Sequence, residues 1–147
     1  MKISTKGEYG IRALMELTQR YGDGYIQSSE IAARRNIPEN YLYQLLITMR
    51  KAGLIRSRRG PQGGHMLARS PERISLNDAV TALEGPLAPT LCSDEHSPEE
   101  CAFGETCAVR EIWVLVTEAT QRVLNETSFA QLAQRELERK QADITTH

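Results

Sequence analysis

Long hydrophobic runs are missing from this sequence of 147 residues. No stretch approaches the roughly 18 to 20 apolar residues that a membrane-spanning helix requires. The N-terminal segment also lacks the basic-then-apolar order of a signal peptide, because Lys2 and Lys6 are followed by a mixed sequence that includes Glu8. We therefore expect a soluble, cytoplasmic protein that has no membrane partner.

Signatures of common enzymes are missing as well. The sequence has three cysteines but no Cys-x-x-Cys pair, and it contains no glycine-rich nucleotide-binding motif and no evident catalytic dyad. At this length a chain can bury one proper core but is short for two. The sequence therefore predicts one folded unit with an oligomerisation element, and it does not predict an enzyme.

Charge is present in both signs but is divided between the two halves of the chain. The net charge is -1, yet residues 1–75 carry 13 Lys or Arg against 6 Asp or Glu, and residues 76–147 carry 5 against 13. Such a division often marks a nucleic-acid surface, because a polyanion binds the basic half alone. An unevenly charged, solvated surface is the alternative interpretation.

Apolar residues at helical spacing predict three helices in the basic half, over residues 5–21, 28–36 and 38–53. Ser28 and Ser29 are predicted to cap the second helix, and Pro38 is suited to begin the third. Two short helices joined by a turn of about four residues are typical of a helix-turn-helix. The sequence therefore predicts such a motif, with the third helix as its second member.

The rest of the chain is predicted to be a hairpin followed by three more helices. Residues 54–58 and 65–68 read as strands on either side of a glycine-rich turn, and Ser75 caps a helix that ends at Gly85. Residues 86–106 are predicted to be a loop. A long helix over 108–126, whose apolar stripe includes Trp113, suits a dimer contact, although packing on its own domain is the alternative. A short last helix near 129–137 precedes a tail that we expect to fray after Lys140.

The third helix is the predicted recognition helix, whose N-terminal residues face base edges in the major groove. For Tyr41 and Tyr43, a half-buried position in the core is an equal alternative. Arg50 and Lys51 end the helix and suit phosphate contacts, while also complementing the helix dipole. The DNA-binding candidates of the two helices are Ser28, Asn40, Tyr41, Tyr43, Gln44, Arg50 and Lys51.

The tip of the hairpin adds a second predicted DNA contact. Arg58 and Arg59 precede a turn in which Gly60 and Gly63 allow the backbone to approach DNA closely. A protruding arginine in a narrow minor groove responds to both the charge and the width of that groove. These four residues complete the predicted DNA-binding set.

The three cysteines, Cys92, Cys101 and Cys107, are clustered in and just after the predicted loop. In a cytosolic protein, an odd set of three indicates metal or redox chemistry better than a disulfide framework. Thiolates are soft ligands that suit iron-sulfur clusters or zinc, and a redox switch is the third interpretation. Cys107 also stands at a helix start, where the helix dipole stabilises negative charge.

Several segments together resemble the Rrf2 family of bacterial regulators, over about residues 1–130. The resemblance rests on the N-terminal segment, residues 41–46 (YLYQLL), residues 50–55 (RKAGLI), residues 59–64 (RGPQGG) and the three-cysteine loop. It implies a mainly α fold with a small β-hairpin wing, in which a winged helix-turn-helix DNA-binding domain is joined to a long dimerisation helix. The expected domains are residues 1–85 for DNA binding, 86–107 for the cluster loop, and 108–140 for dimerisation and the C-terminal helix.

The resemblance also implies a cluster ligand besides the three thiolates. One branch of the family supplies a histidine three residues after the last cysteine, where this chain has Arg110, which cannot ligate a metal. Other members supply a carboxylate from the first helix of the partner subunit, and Glu8 stands at that position. Glu8 is therefore the first candidate for the fourth ligand and His96, in the loop, is the second. Water, a small thiol or no ligand remain open.

The function implied is that of a homodimeric transcription regulator, a repressor, which binds a double-stranded DNA operator. A [2Fe-2S] or [4Fe-4S] cluster would control that binding in response to iron, redox state or nitric oxide. The alternative is a cluster-free regulator that is controlled by zinc, thiol oxidation or docking of a metabolic enzyme. Some relatives carry an acidic residue where this chain has Tyr43, so no operator sequence is carried over.

Overall fold

The computed structural model describes residues 2–90 and 106–146. Within those ranges the helices are α1 (Thr5–Gln19), α2 (Ser28–Arg35), α3 (Glu39–Lys51), α4 (Leu76–Glu84), α5 (Ala108–Asn125) and α6 (Phe129–Thr146). The strands are β1 (Ile55–Arg58) and β2 (Gly64–Leu67), and a 3-10 turn spans Pro71–Arg73. The predicted mainly α fold with a small β-hairpin is confirmed. No helix in these ranges is long and apolar enough to cross a membrane.

One apolar core joins the N-terminal helices, the hairpin, α4 and the start of α6. Its largest fully buried side chains include Leu14, Leu42, Met49 and Ile74. Phe129, at the first residue of α6, is also fully buried, and its backbone N–H donates to the carbonyl of Ile74 at 2.9 Å. The C-terminal helix is therefore attached to the same core that holds α3 in place.

The hairpin is antiparallel, and its register pairs Ile55 with Leu67 and Ser57 with His65. Because side chains alternate between the faces of a strand, these four lie on one face of the hairpin. Ile55 and Leu67 on that face are buried in the core. The hairpin is also attached to the segment before α2, since the backbones of Ile26 and His65 exchange two hydrogen bonds of 2.8 Å.

The N-terminus of α1 is held by the end of α4. Ser4 caps α1 through a hydrogen bond from the Gly7 backbone N–H, and both its backbone N–H and its hydroxyl donate to a carboxylate oxygen of Glu84. At the other end of α4, Ser75 and Asp78 form a capping box, which confirms the predicted cap. The contacts of Ser4 hold the N-terminus of α1 against the end of α4.

Two predicted helix starts were wrong in detail. The N-cap residue of α2 is Gln27, which makes no side-chain cap bond, so Ser28 is the first helical residue rather than the cap. Pro38 occupies the N-cap of α3 rather than its first helical position. Its extended backbone ends the turn that begins at Asn36, which has the left-handed φ of 52°.

The C-terminal helix is longer than predicted. It continues to Thr146 instead of fraying after Lys140. The apolar spacing weakens beyond Leu137, but the residues that follow are strong helix formers, and helical propensity extends an exposed helix without any packing. The hydroxyls of Thr145 and Thr146 donate to the carbonyls of Gln141 and Ala142, at 2.9 and 2.8 Å.

A partly buried ionic network connects α6 to α1 and α2. Arg35 donates to Glu16 at 2.9 Å and to both carboxylate oxygens of Glu136, at 2.7 and 3.1 Å. Gln19 donates to the same carboxylate at 2.9 Å. The Arg35 hydrogen bonds, followed by that of Gln19, lower the pKa of Glu136 to about 2 against the opposing effect of burial. The network therefore attaches the C-terminal helix to the first helix of the helix-turn-helix.

Candidate nucleic-acid interface

A groove opens between α3 and the hairpin, with the start of α2 at one side. Seven of the eleven predicted DNA-binding residues line it: Ser28, Tyr43, Arg50, Arg58, Arg59, Gly60 and Gly63. Three of these are arginines, and no Asp or Glu is among the described residues that line the groove. A groove with this charge attracts a polyanion. We refer to it below as the α3–wing groove.

The shape of the groove is fixed by contacts between the hairpin tip and the start of α2. Besides the backbone bonds between Ile26 and His65, the Gln27 amide donates to the Pro61 carbonyl at 3.4 Å. Gly60 has a φ of 102°, a conformation that favours glycine. Gly63 is buried, and its backbone N–H donates to the Gly60 carbonyl at 2.9 Å. Gly63 therefore has a role in building the tip, independent of any contact with DNA.

The outer face of α3 carries the other predicted DNA-binding residues. Asn40 and Gln44 are exposed near the N-terminus of the helix, and Lys51 is exposed at its end. Tyr41 combines the two interpretations left open by the sequence, because its ring packs edge-on against Tyr9 at 5.4 Å yet stays 39% exposed. Tyr43 is 62% exposed and belongs to the groove.

The two arginines of the hairpin are placed differently. The guanidinium of Arg58 lies over the Tyr25 ring, 5.9 Å from its centre, in a cation–π contact that limits its freedom. Arg59 is exposed and forms no ion pair with another described residue. Arg59 is therefore the one of the two that is available to reach outward from the tip.

Ser57 and His65 are among the groove residues that were not predicted from the sequence. The Ser57 hydroxyl and Nδ1 of His65 are 2.7 Å apart across the hairpin. Burial, and then the positive charge of Arg50, lower the pKa of His65 below its usual value of 6.5. The alternation of side chains along each predicted strand was the sequence signal for the face on which each residue lies, but it does not give the register that pairs them.

The predicted metal ligands are only partly within the described structure. Cys92, Cys101 and His96 lie outside the described residues. Cys107 is half-buried at the N-cap of α5, and Glu8 is exposed in the first turn of α1. Residues 2–90 and 106–146 contain no group of three or more His, Cys, Asp or Glu that could hold a metal ion.

The long helix α5 presents an apolar face that is exposed among the described residues. Val109, Ile112, Val116 and Val123 recur at helical spacing along α5, and their side chains are 42–62% exposed. Leu115 beside them is 53% exposed. Contiguous exposed apolar surface on a helix usually marks a protein–protein contact.

Comparison with protein families gives one match over most of the chain. The model of the Rrf2 family, described as an iron-dependent transcriptional regulator, matches residues 3–135. Among individual relatives, CymR of Bacillus subtilis is 38% identical over 133 residues, which are 90% of each chain. IscR of Yersinia enterocolitica is 30% identical over 132 residues, which are 90% of this chain and 79% of that protein.

Solved structures agree with these sequence matches. The structure of CymR, the global cysteine regulator of B. subtilis, matches with a TM-score of 0.77 and 37% identity, over 92% of this chain and 98% of that one. IscR of T. potens matches with a TM-score of 0.73 and 34% identity, over 92% and 88% of the two chains. The hairpin that borders the groove is therefore the wing of a winged helix-turn-helix, as predicted.

Proposed function

Since the chain belongs to the Rrf2 family of DNA-binding transcriptional regulators, we propose that it is a dimeric repressor whose operator binding is controlled by an iron-sulfur cluster. The family regulates transcription and is not a family of enzymes, which confirms that part of the sequence prediction. Such a regulator acts in the cytoplasm, where bacterial DNA is found.

The observation that carries DNA binding is the α3–wing groove. It brings residues from α2, α3 and the wing to one basic surface, although they are up to 37 positions apart in sequence, from Ser28 to His65. In a winged helix-turn-helix, the exposed residues of α3 would read base edges, while the arginines contact phosphates and the minor groove. Asn40 and Gln44 are the proposed base readers, and Arg50 and Lys51 the proposed phosphate contacts.

Replacing Arg59 by alanine is expected to weaken operator binding by about tenfold, more than Lys51→Ala does, and to change the preferred sequence. The physical reason is that an arginine in the minor groove responds to groove width, whereas a lysine on phosphate does not. Fluorescence anisotropy would compare both variants on a duplex selected from a random pool and on duplexes with altered flanking sequence. Equal losses for the two variants on every duplex would contradict the prediction.

Dimerisation is supported by the apolar face of α5 that is exposed among the described residues. Two copies that pair through Val109, Ile112, Val116 and Val123 would remove these side chains from water, which is favourable at about 25 cal/mol for each Å² buried. A symmetric dimer also presents two α3 helices to two half-sites about one turn of DNA apart. Light scattering at micromolar concentration measures the mass directly.

The donor set fits an iron-sulfur cluster. Cys92, Cys101 and Cys107 would supply three thiolates, and Glu8 of the partner subunit a carboxylate oxygen, while Arg110 takes the position of the histidine found in one branch of the family. The contacts of Ser4 with Glu84 hold the start of α1, and hence Glu8, at the end of α4. When bound, the cluster would supply a centre whose oxidation or loss changes with iron, redox state or nitric oxide.

The Cys101→Ala variant is expected to lose all visible absorption and all iron and acid-labile sulfide, while its helical circular dichroism is retained. Loss of one thiolate removes a ligand from the cluster but none from the described core. The measurement is an absorption spectrum with iron and sulfide counts on anaerobically purified protein, with Ser97→Ala as the matched control from the same segment. A colourless wild-type protein that cannot be reconstituted would contradict the cluster but not DNA binding.

The likeness to CymR favours an alternative way in which DNA binding would be regulated. CymR is named as a global cysteine regulator, and its identity to this chain, 38%, is higher than the 30% of the Yersinia IscR. A cluster-free regulator would use the same three cysteines through zinc or thiol oxidation, or would be controlled by docking of a metabolic enzyme. The iron and sulfide counts, with zinc measured on the same sample, distinguish these states.

A further inference from the structure

The floor of the α3–wing groove contains a histidine that the proposed function has not yet used. His65 of β2 faces Ser57 of β1, and the Ser57 hydroxyl lies 2.7 Å from Nδ1 of the ring. The same groove is lined by Tyr43 and Arg50 of α3. An imidazole is therefore placed between the recognition helix and the wing, on the surface that would meet DNA.

Backbone hydrogen bonds hold the residue that carries this imidazole. His65 donates to and accepts from the Ile26 backbone, each at 2.8 Å, and pairs with Ser57 in the hairpin. The preceding Gly64 has a φ of 145°, and a Cβ there would lie only 2.5 Å from the Ile26 carbonyl oxygen. The ring is consequently carried by a rigid segment rather than by the tip of the wing.

One ring nitrogen remains available to a ligand. Ser57 engages Nδ1, and none of the buried side-chain nitrogens and oxygens in the described residues lacks a hydrogen-bond partner. Nε2 of His65, which has no hydrogen bond within the described structure, therefore keeps access to the groove. If the Ser57 hydroxyl donates to Nδ1, the neutral ring carries its proton on Nε2 and offers a donor there.

The charges that surround His65 are positive. Arg50 comes from α3, and Arg58 and Arg59 from the wing, while Gln27 and Ser28 at the start of α2 are uncharged. α1 also packs near β2, but its Glu16 is paired with Arg35, and its C-cap residue Arg20 with Asp23 and Glu30. No described carboxylate therefore competes with an incoming phosphate for the ring.

We propose, on the basis of the DNA-binding function proposed above, that His65 is a phosphate-binding residue of the groove, oriented by Ser57, and that operator binding adds a proton to its imidazole. Burial and the Arg50 charge lower the pKa of His65 in the free protein, so the ring is neutral near pH 7. A phosphate at Nε2 adds negative charge next to the ring and raises its pKa in the complex. Each protomer would then take up at most one proton when it binds DNA.

Operator affinity should fall as pH rises, because binding adds a proton. A proton taken up on binding makes affinity highest below the pKa of the free protein, which is under 6.5, and lets it decline as pH rises through the higher pKa of the complex. The affinity changes by at most about tenfold per pH unit for each protomer, since one proton is exchanged. Between those two pKa values the slope is steepest.

The test measures operator affinity by fluorescence anisotropy from pH 5.5 to 8.5 at constant ionic strength, on a duplex selected from a random pool. Wild-type protein is expected to bind more tightly as pH falls, whereas His65→Gln, which keeps a neutral donor, is expected to bind equally at all pH values. His147→Gln replaces a histidine that has no proposed role and should retain the wild-type slope. Ser57→Ala should reduce the slope, because the ring is no longer oriented.

A second measurement follows the ring itself. The NMR shift of the His65 Cε1–H group, titrated with and without duplex, should report a higher pKa in the complex. A wild-type slope that persists in His65→Gln, or an unchanged pKa on binding DNA, would overturn the proposal while leaving DNA binding intact. Absence of binding by the wild-type protein at every pH would instead overturn the proposed function, and this inference with it.

Discussion

Replacing Arg35 by alanine is expected to lower the free energy of unfolding by about 3 kcal/mol, the cost of removing one member of a buried ionic group. Arg35 is only 14% exposed and Glu16 only 7%, so the variant would leave the Glu16 carboxylate in the interior with its closest partner gone. Glu136 on α6 would lose two hydrogen bonds at once. Urea unfolding at pH 7, followed by circular dichroism, gives the free energy.

Arg34 provides a matched control, because it is the same residue type one position earlier in α2. Its side chain is 57% exposed, and its contacts with Glu16 and Glu30 are longer, at 3.7 and 3.3 Å. Exposed pairs contribute little, so Arg34→Ala is expected to cost about 1 kcal/mol or less. Similar losses in the two variants would show that the Arg35 network does not stabilise the fold.

The hydrogen bonds of Glu136 also predict how the stability of the protein depends on pH. The pKa of Glu136 falls from 4.5 to about 2 in the folded protein, chiefly through hydrogen bonds from Arg35. A lowered pKa contributes stability that is fully present above pH 4.5 and is lost as pH falls toward 2. The difference in stability between the wild type and Glu136→Gln should therefore shrink over that interval, and a constant difference would exclude ionisation of Glu136 as its source.

Replacing Gly63 by alanine is expected to weaken operator binding by at least about tenfold, or about 1.4 kcal/mol. The added Cβ would lie 2.1 Å from the Arg58 carbonyl oxygen and 2.8 Å from the Arg59 carbonyl carbon, so the backbone that carries both arginines must move. The hydrogen bond from Gly63 to Gly60 would be disturbed by the same shift. Anisotropy with the selected duplex measures the loss.

Gln62→Ala is the control for Gly63→Ala, because Gln62 is exposed at the same hairpin tip. Gln62→Ala changes the side chain without crowding the backbone, and it is expected to bind DNA within about twofold of the wild type, as most surface substitutions have small effects. Thermal unfolding of both variants separates a local change of the wing from a loss of fold. Wild-type affinity in Gly63→Ala would mean that the shape of the tip does not contribute to binding.

Much of the helical framework could be predicted, because its signals are local. A capping box at Ser75, apolar residues at helical spacing and glycines that end helices act over only a few residues. The same holds for the wing, where Arg58 and Arg59 stand beside a glycine-rich turn. The end of α6 was misjudged because the polar segment after Lys140 has little apolar spacing, although its intrinsic propensity favours helix.

The paired residues of the groove could not be predicted in the same way. Ser57 and His65 meet only because the hairpin has the register that it has, and a shift by one residue would place them on opposite faces. Gly63 was predicted to allow close approach to DNA, whereas its burial against Arg58 also gives it a structural role. Whether it contacts DNA stays a prediction.

The sequence by itself determined the helix-turn-helix, the basic wing, the clustered cysteines and the membership of a family, since each depends on residue types at short spacing. Only the tertiary structure decided which distant side chains meet. Arg35 and Glu136 are 101 residues apart in sequence, and their hydrogen bonds exist because the core seats α6 against α1. The lowered pKa of His65 likewise depends on its burial in the folded chain and then on the approach of Arg50 across the groove, since both effects depend on distance in space.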